Sequence, residues 1–227
     1  MTTQPQSLGE QAYDLIKSDI VLCKLAPGAE VTEAGLAEHY RLGRAPIRSA
    51  LSRLCQDGLV NVVPRRGYVI APITLKGVQE IFELRLILEP AAARIATGHV
   101  DLARLRANNS GPTASDSARQ NLRFLTSNRA FHLAIAEATS NDRLTQSIAT
   151  LHDEMIRLLN LGLFSSGREP DAIRIDHDLQ HKQHDALIEA FAACDPSAAE
   201  RAAADHIEHS RDLVLRAIFR RRLSFDL

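Results

Sequence analysis

Three cysteines, Cys23, Cys55 and Cys194, stand far apart in a chain of 227 residues. They make neither an even disulfide set nor a spacing suited to a metal, so a reduced, cytoplasmic setting is expected. No apolar run approaches the length needed to cross a bilayer, and the opening residues MTTQPQS lack the basic-then-apolar order of a secretion signal. A membrane is therefore not expected among the partners. Aromatic residues are scarce, 4% with no tryptophan, while alanine is abundant, as in a helical bundle. Neither an HExxH pairing of base and ligands nor a nucleophile motif occurs, which argues against an enzyme. Charged residues at 24% and hydrophobic ones at 45% exclude a disordered chain, and the length suits two modest domains with cores of their own.

What the chain does have is positive charge gathered in one place. Its formal net charge is -1, yet six arginines and a single acid, Asp57, fall between Arg41 and Arg66. A basic patch confined to one element is an electrostatic footprint for phosphate, and arginine adds a planar fork for guanine edges. The surrounding pattern predicts the element. Ser7 caps a helix from Leu8 to about Cys23, and Leu25–Gly28 turns the chain. Thr32 caps a short helix carrying Leu36 and Ala37 inward. A polar break at Arg41–Gly43 leads to a second helix with Pro46 in its first turn. Ile47, Ala50, Leu51 and Leu54 recur at helical spacing, leaving Arg44 and Arg48 on the solvent side until Gly58 ends the helix. Leu59–Val63, the turn Pro64–Arg65–Arg66–Gly67, and Tyr68–Ala71 form a basic-tipped hairpin. Helix, turn, helix and hairpin make a winged helix-turn-helix over residues 1–73, for which the bland alternative is a small helical domain with a solvated basic face.

From residue 74 onward the pattern is helical throughout. Helices are expected at Leu75–Thr97, with Pro90 inside it, at His99–Ala107, and at 116–138, 142–163, 176–193 and 196–221. Asn108–Ser115 and Phe164–Arg174 read as loops. Six helices with short connections imply an all-α antiparallel bundle over residues 74–227, so the fold class is mainly α.

The segment LAEHYRLGRAPIRSALSRLCQDGLVNVVPRRGYVIAP resembles the DNA-binding domain of the GntR family of bacterial transcription regulators. That likeness implies DNA contacts from Arg44, Arg48 and the Arg65–Arg66–Gly67 wing. Relatives commonly carry Gly at the inter-helix turn and Ser and Thr around the first recognition arginine, where this chain has Arg41, Gly43 and Ala45. The lost hydroxyls imply fewer phosphate contacts, with Arg41 a candidate replacement. EIFELRLILEPAAARIA, NRAFHLAIAEATSND and HDALIEAFAACDPSAAERAAADHIEHS are similar to the C-terminal effector domain of the FadR branch, the FCD type.

Chemistry-bearing residues gather on the inward faces of that bundle. Asn128 and His132 lie one turn apart between Leu125 and Ile135. His184 shares a face with Leu187, Ile188 and Phe191, and His206 with Ala199, Ala202, Ala203 and Leu213. Three imidazoles and an amide could meet around one divalent metal with positions left open, although nine histidines guarantee some coincidences and an inward histidine is usually a satisfied core residue. The FadR branch adds that many members bind metal through an acidic residue and then three histidines at these four positions. Asn128 stands where aspartate is typical, an oxygen donor without charge. Zinc, nickel and manganese are equally compatible with this donor set. His177 and His181 share the His184 face as substitute ligands or supporting partners. Arg85, also inward, either pairs with Glu89 one turn on or clamps an effector carboxylate.

These readings converge on a DNA-binding transcriptional regulator, a homodimer on a palindromic double-stranded operator, modulated by a small carboxylate at a metal-containing site. Two alternatives stand beside it: a regulator for which metal occupancy itself is the signal, and a metalloenzyme fused to a DNA-binding head.

Overall fold

A computed structural model of the chain describes residues 6–110, 118–164 and 177–221. It divides into two compact units, Met1–Ile73 and Thr74–Leu227.

In unit 1 the helices are α1 (Leu8–Val21), α2 (Glu33–Tyr40) and α3 (Arg44–Gln56), and the strands β1 (Glu30–Val31), β2 (Val60–Val63) and β3 (Gly67–Ile70). Local chemistry sets the boundaries. Ser7 and Glu10 form a reciprocal capping box at the start of α1, and the Thr32 hydroxyl accepts from the Gly35 amide at the start of α2. Ala12, Ile16 and Ile20, four apart, turn one face of α1 onto Ile47, Ala50, Leu51 and Leu54 of α3, with Leu36, Leu59, Val60 and Ile70 closing the core. Burying each large aliphatic side chain there contributes roughly 1.5–3 kcal/mol.

The strands form an antiparallel sheet in the order β1-β3-β2. The hairpin was legible in the sequence; β1 was not, since two residues carry no alternation to read. It pairs Glu30 with Val69 and Val31 with Tyr68. Gly67 makes that pairing possible. Its φ is +113°, and a Cβ there would lie 2.8 Å from the Val31 carbonyl oxygen.

Unit 2 consists of α4 (Leu75–Ala96), α5 (Leu102–Asn109), α6 (Ala118–Ala138), α7 (Asp142–Phe164), α8 (His177–Ala192) and α9 (Pro196–Arg221). Thr74 caps α4 by accepting from the Gly77 amide, and Asp101 caps α5 through the amides of Ala103 and Arg104. α4 packs against α9, α6 and α7, α8 against α9, and α5 against α6 and α8. Their inward faces share a core that includes Phe131, Ile135, Leu187, Ile188 and Phe191.

One boundary departs from expectation. α5 starts after its Asp101 cap and runs through Asn109, which composition assigned to a loop. Asn109 is buried and hydrogen-bonded to α8, so tertiary contacts override its local preference. Most of the expected 108–115 and 164–174 loops lies outside the described residues. Among the described residues, no helix is long and apolar enough to cross a membrane.

Candidate functional sites

Arg41, Arg44, Arg48, Arg65 and Arg66 are all exposed on unit 1. Arg41 ends α2 in the left-handed conformation, and Arg44 opens α3 behind the Gly43 cap. Arg65 sits at the hairpin tip with φ +65°, followed by Arg66 and Gly67. Arg48 is already engaged. Its Nε lies 2.9 Å from Glu33 Oε1 and its Nη2 2.8 Å from Oε2, a two-point clamp to which the Tyr68 hydroxyl adds a 3.3 Å hydrogen bond. Hydrogen bonding from Arg48 holds the half-buried Glu33 carboxyl below its ordinary range. Arg66 lies 3.4 Å from Glu30. The sixth arginine, Arg53, stacks over the Tyr13 ring at 4.0 Å. Glu30 and Glu33 lie just upstream of the basic segment, and only the fold brings them onto its surface.

In unit 2, α6, α8 and α9 bring His132, His184 and His206 together, each at most 5% exposed. Their ring centroids are 4.8 to 5.3 Å apart, and one nitrogen from each lies within 4.8 Å of the other two. The Nδ1 side of every ring faces an oxygen. His184 Nδ1 is 3.0 Å from Asn109 Oδ1, and His206 Nδ1 is 3.1 Å from Gln183 Oε1. His132 Nδ1 is 2.7 Å from Glu89 Oε2, close enough for charge to matter though not aligned as a hydrogen bond. Nε2 of His132 and of His184 is buried with no partner among the described residues. Burial first, then the neighbouring imidazoles, push His184 and His206 well below the ordinary histidine range, so both rings are neutral at pH 7. Neutral imidazoles with anchored Nδ1 and orphaned Nε2 are the form in which histidine ligates metal.

Asn128 stands one turn before His132, half-buried, and its Oδ1 accepts a 2.6 Å hydrogen bond from Gln180. Arg85 takes the paired alternative: its Nε donates to Glu89 Oε1 at 2.6 Å, and both side chains are buried. The two Nη groups find no protein acceptor among the described residues.

Three residues with a part in this centre were not anticipated as such. His152 of α7 stacks on His132 with centroids 4.4 Å apart and places Nε2 3.2 Å from Glu89 Oε1. Glu89, His132 and His152 thus form a second set at ligand distance. Asn109 Oδ1 faces the Nδ1 atoms of both His181 and His184. Burial opposes ionisation of Glu89, but Arg85, then His152 and His132, outweigh it and hold its carboxyl well below the usual range. Burial drives His152 down to about 4 against the pull of Glu89. His152 recurs with Ile148, Met155, Ile156 and Leu159 on one face of α7, the signal that would have marked it. The side chain of His177 lies outside the described residues.

Arg85, Asn128, His152 and His206 also line an open cavity whose remaining wall combines aliphatic side chains with Phe124, Gln180, Gln183, His209 and Ser210.

Comparison with known proteins agrees with both halves. Residues 8–70 match the family described as bacterial regulatory proteins, gntR family, and residues 80–209 match the FCD domain. The HTH-type transcriptional repressor RspR of Escherichia coli K12 is 32% identical over 98 residues, 43% of this chain and only 42% of that repressor. The HTH-type transcriptional repressor GlaR of the same organism is 26% identical over 202 residues, 86% of this chain and 90% of its own. The solved structure of E. coli McbR/YncC covers 93% of this chain and 99% of its own at a TM-score of 0.75 and 22% identity, a likeness of fold alone.

Proposed function

The chain belongs to the GntR family of bacterial regulatory proteins and carries an FCD domain, and from that premise we propose a homodimeric transcription regulator whose hold on a palindromic operator is set by a small carboxylate bound beside a divalent metal. Arg44 and Arg48 on α3 would read the major groove, while Arg41, Arg65 and Arg66 would meet phosphates, with Gly67 holding the wing in shape.

The observation that carries the metal reading is the trio His132, His184 and His206, with two buried Nε2 atoms that no protein group satisfies. A buried polar atom without a partner costs about 1–3 kcal/mol, and a shared cation would remove that penalty. Asn128 is the proposed fourth donor, exchanging its Gln180 hydrogen bond for the metal. Zinc, nickel and manganese all suit this set. A bound ion would supply Lewis acidity, holding a carboxylate oxygen in an open coordination position. Arg85 would grip the same carboxylate from the cavity wall.

Leu84, Ile87 and Ile95 are 48%, 65% and 45% exposed along α4, an apolar stripe we assign to the partner copy. Ligand occupancy would then act on operator affinity as a coupling free energy between the two sites.

The reading is tested by metal analysis of the purified protein and by its melting temperature with and without chelator, across a panel of carboxylates. Bound metal, a lower melting temperature on chelation and a rise with an acid are expected. Metal-free protein indifferent to chelator and to every acid would sink it. DNA affinity that follows metal alone would replace it with the metal-sensor alternative.

A further inference from the structure

We propose that the effector is a monocarboxylate with an apolar body, such as a medium-chain aliphatic acid, in place of a polyacid or a hydroxy acid; this rests on the small-acid reading above. One permanent charge faces the cavity from its described wall. Among the described lining residues Arg85 is the sole arginine or lysine, and no carboxylate side chain takes part. Glu89 engages Arg85 through Nε only, which leaves the Nη edge of the guanidinium for one carboxylate. His206, which shares the cavity, lies near enough to Arg85 to feel its charge, so a metal held by His206 would serve the same anionic head.

Two of the other polar side chains already have partners. Asn128 Oδ1 is bound to Gln180, and Gln183 Oε1 faces His206 Nδ1. Leu125, Met155, Ile156, Leu159, Leu213 and Val214, with Phe124 beside them, make the apolar part of the wall, to which His152, His209 and Ser210 add polar atoms. A second carboxylate would find no second arginine or lysine among the described lining residues, and along the apolar wall a row of hydroxyls would lie mostly against hydrocarbon. A hydrocarbon chain loses nothing there, and each methylene removed from water raises affinity about fourfold.

The test is calorimetric titration of the full chain, as purified, with butanoate, hexanoate, octanoate, octanamide, lactate and citrate. Octanoate is expected to bind at least tenfold more tightly than octanamide, lactate or citrate, and affinity should climb steadily from butanoate to octanoate. Leu213→Gln, at a half-buried wall position, should weaken octanoate at least tenfold. A flat chain-length series in the unaltered protein overturns the proposal without reference to any variant. Lactate or citrate binding more tightly than octanoate overturns it and leaves the small-acid reading standing. Failure of every acid removes that reading as well, and octanamide matching octanoate overturns the carboxylate head.

Discussion

Glu89 presents Oε2 to Nδ1 of His132 at 2.7 Å, so a buried carboxylate stands behind a candidate metal ligand. The side chain of Asn128 brings no charge to the metal, but Glu89 brings one through the imidazole. The charge of a carboxylate this close to Nδ1 makes Nε2 more basic, and loss of such a partner typically lowers metal affinity 10–100-fold. Glu89→Gln should therefore weaken metal binding by about that factor in a competitive chelator titration. It should also destabilise the metal-free unit by about 3–5 kcal/mol, because Arg85 would be left buried without its partner. Unchanged metal affinity in a folded Glu89→Gln protein would show that Glu89 serves Arg85 alone.

Asn128→Asp makes the opposite change. It places an anionic donor one turn before His132, where Asn128 now spends its oxygen on Gln180. Metal affinity should rise on the order of tenfold. The same titration reads it, and equal or weaker binding would mean that position 128 lies outside the coordination sphere.

Much of this was legible before the fold was known, for identifiable reasons. Ser7, Thr32 and Thr74 are caps whose hydroxyls bond backbone amides within their own turn, so local sequence suffices to place the helices they begin. His132, His184 and His206 could be matched because each sits on a helix face marked by apolar neighbours. Residues whose roles come from distant parts of the chain were harder to read. Glu33 meets Arg48 only when α2 and α3 pack, Asn109 meets His184 across 75 residues, and His152 meets His132 only when α6 lies on α7. Arg85 shows the limit from the other side: two readings were open, and a 2.6 Å contact with Glu89 supplied the pairing without removing the guanidinium from the cavity wall.

The Glu33 clamp on Arg48 bears on how tightly unit 1 holds arbitrary DNA. An arginine already facing its own carboxylate releases less counterion on meeting a phosphate, and Glu33 itself repels the backbone. Glu33→Gln should strengthen binding to a duplex of random sequence and steepen its dependence on salt by roughly one charge, a slope change near 0.9 in log–log form. Arg48→Ala should remove the difference between the two backgrounds. Equal affinity and slope for the parent and Glu33→Gln proteins, measured by fluorescence anisotropy between 50 and 300 mM salt, roughly the span over which such slopes are read, would count against the clamp.

Acid should loosen unit 2 before it loosens ordinary carboxylate contacts. Burial lowers the folded-state pKa of His152 to about 4, and lowers His184 and His206 as well, whereas in the unfolded chain each titrates near 6.5. Between those values the unfolded state binds more protons, so stability is complete above pH of about 6.5 and declines as pH falls toward 4. His152 alone accounts for on the order of 3 kcal/mol across the whole window. Glu89 has the same sign of dependence, but its carboxyl is held well below the ordinary carboxylate range, so its contribution is lost only at more acid pH than the histidine window. Urea unfolding of chelator-treated protein at steps from about pH 7 to 5 isolates the histidines, the side chains whose ordinary pKa falls in that range. The midpoint should drop steadily, and more shallowly in His152→Gln despite its lower starting stability. A midpoint that holds constant, or an identical slope in the variant, would mean that His152 is not neutral in the folded protein.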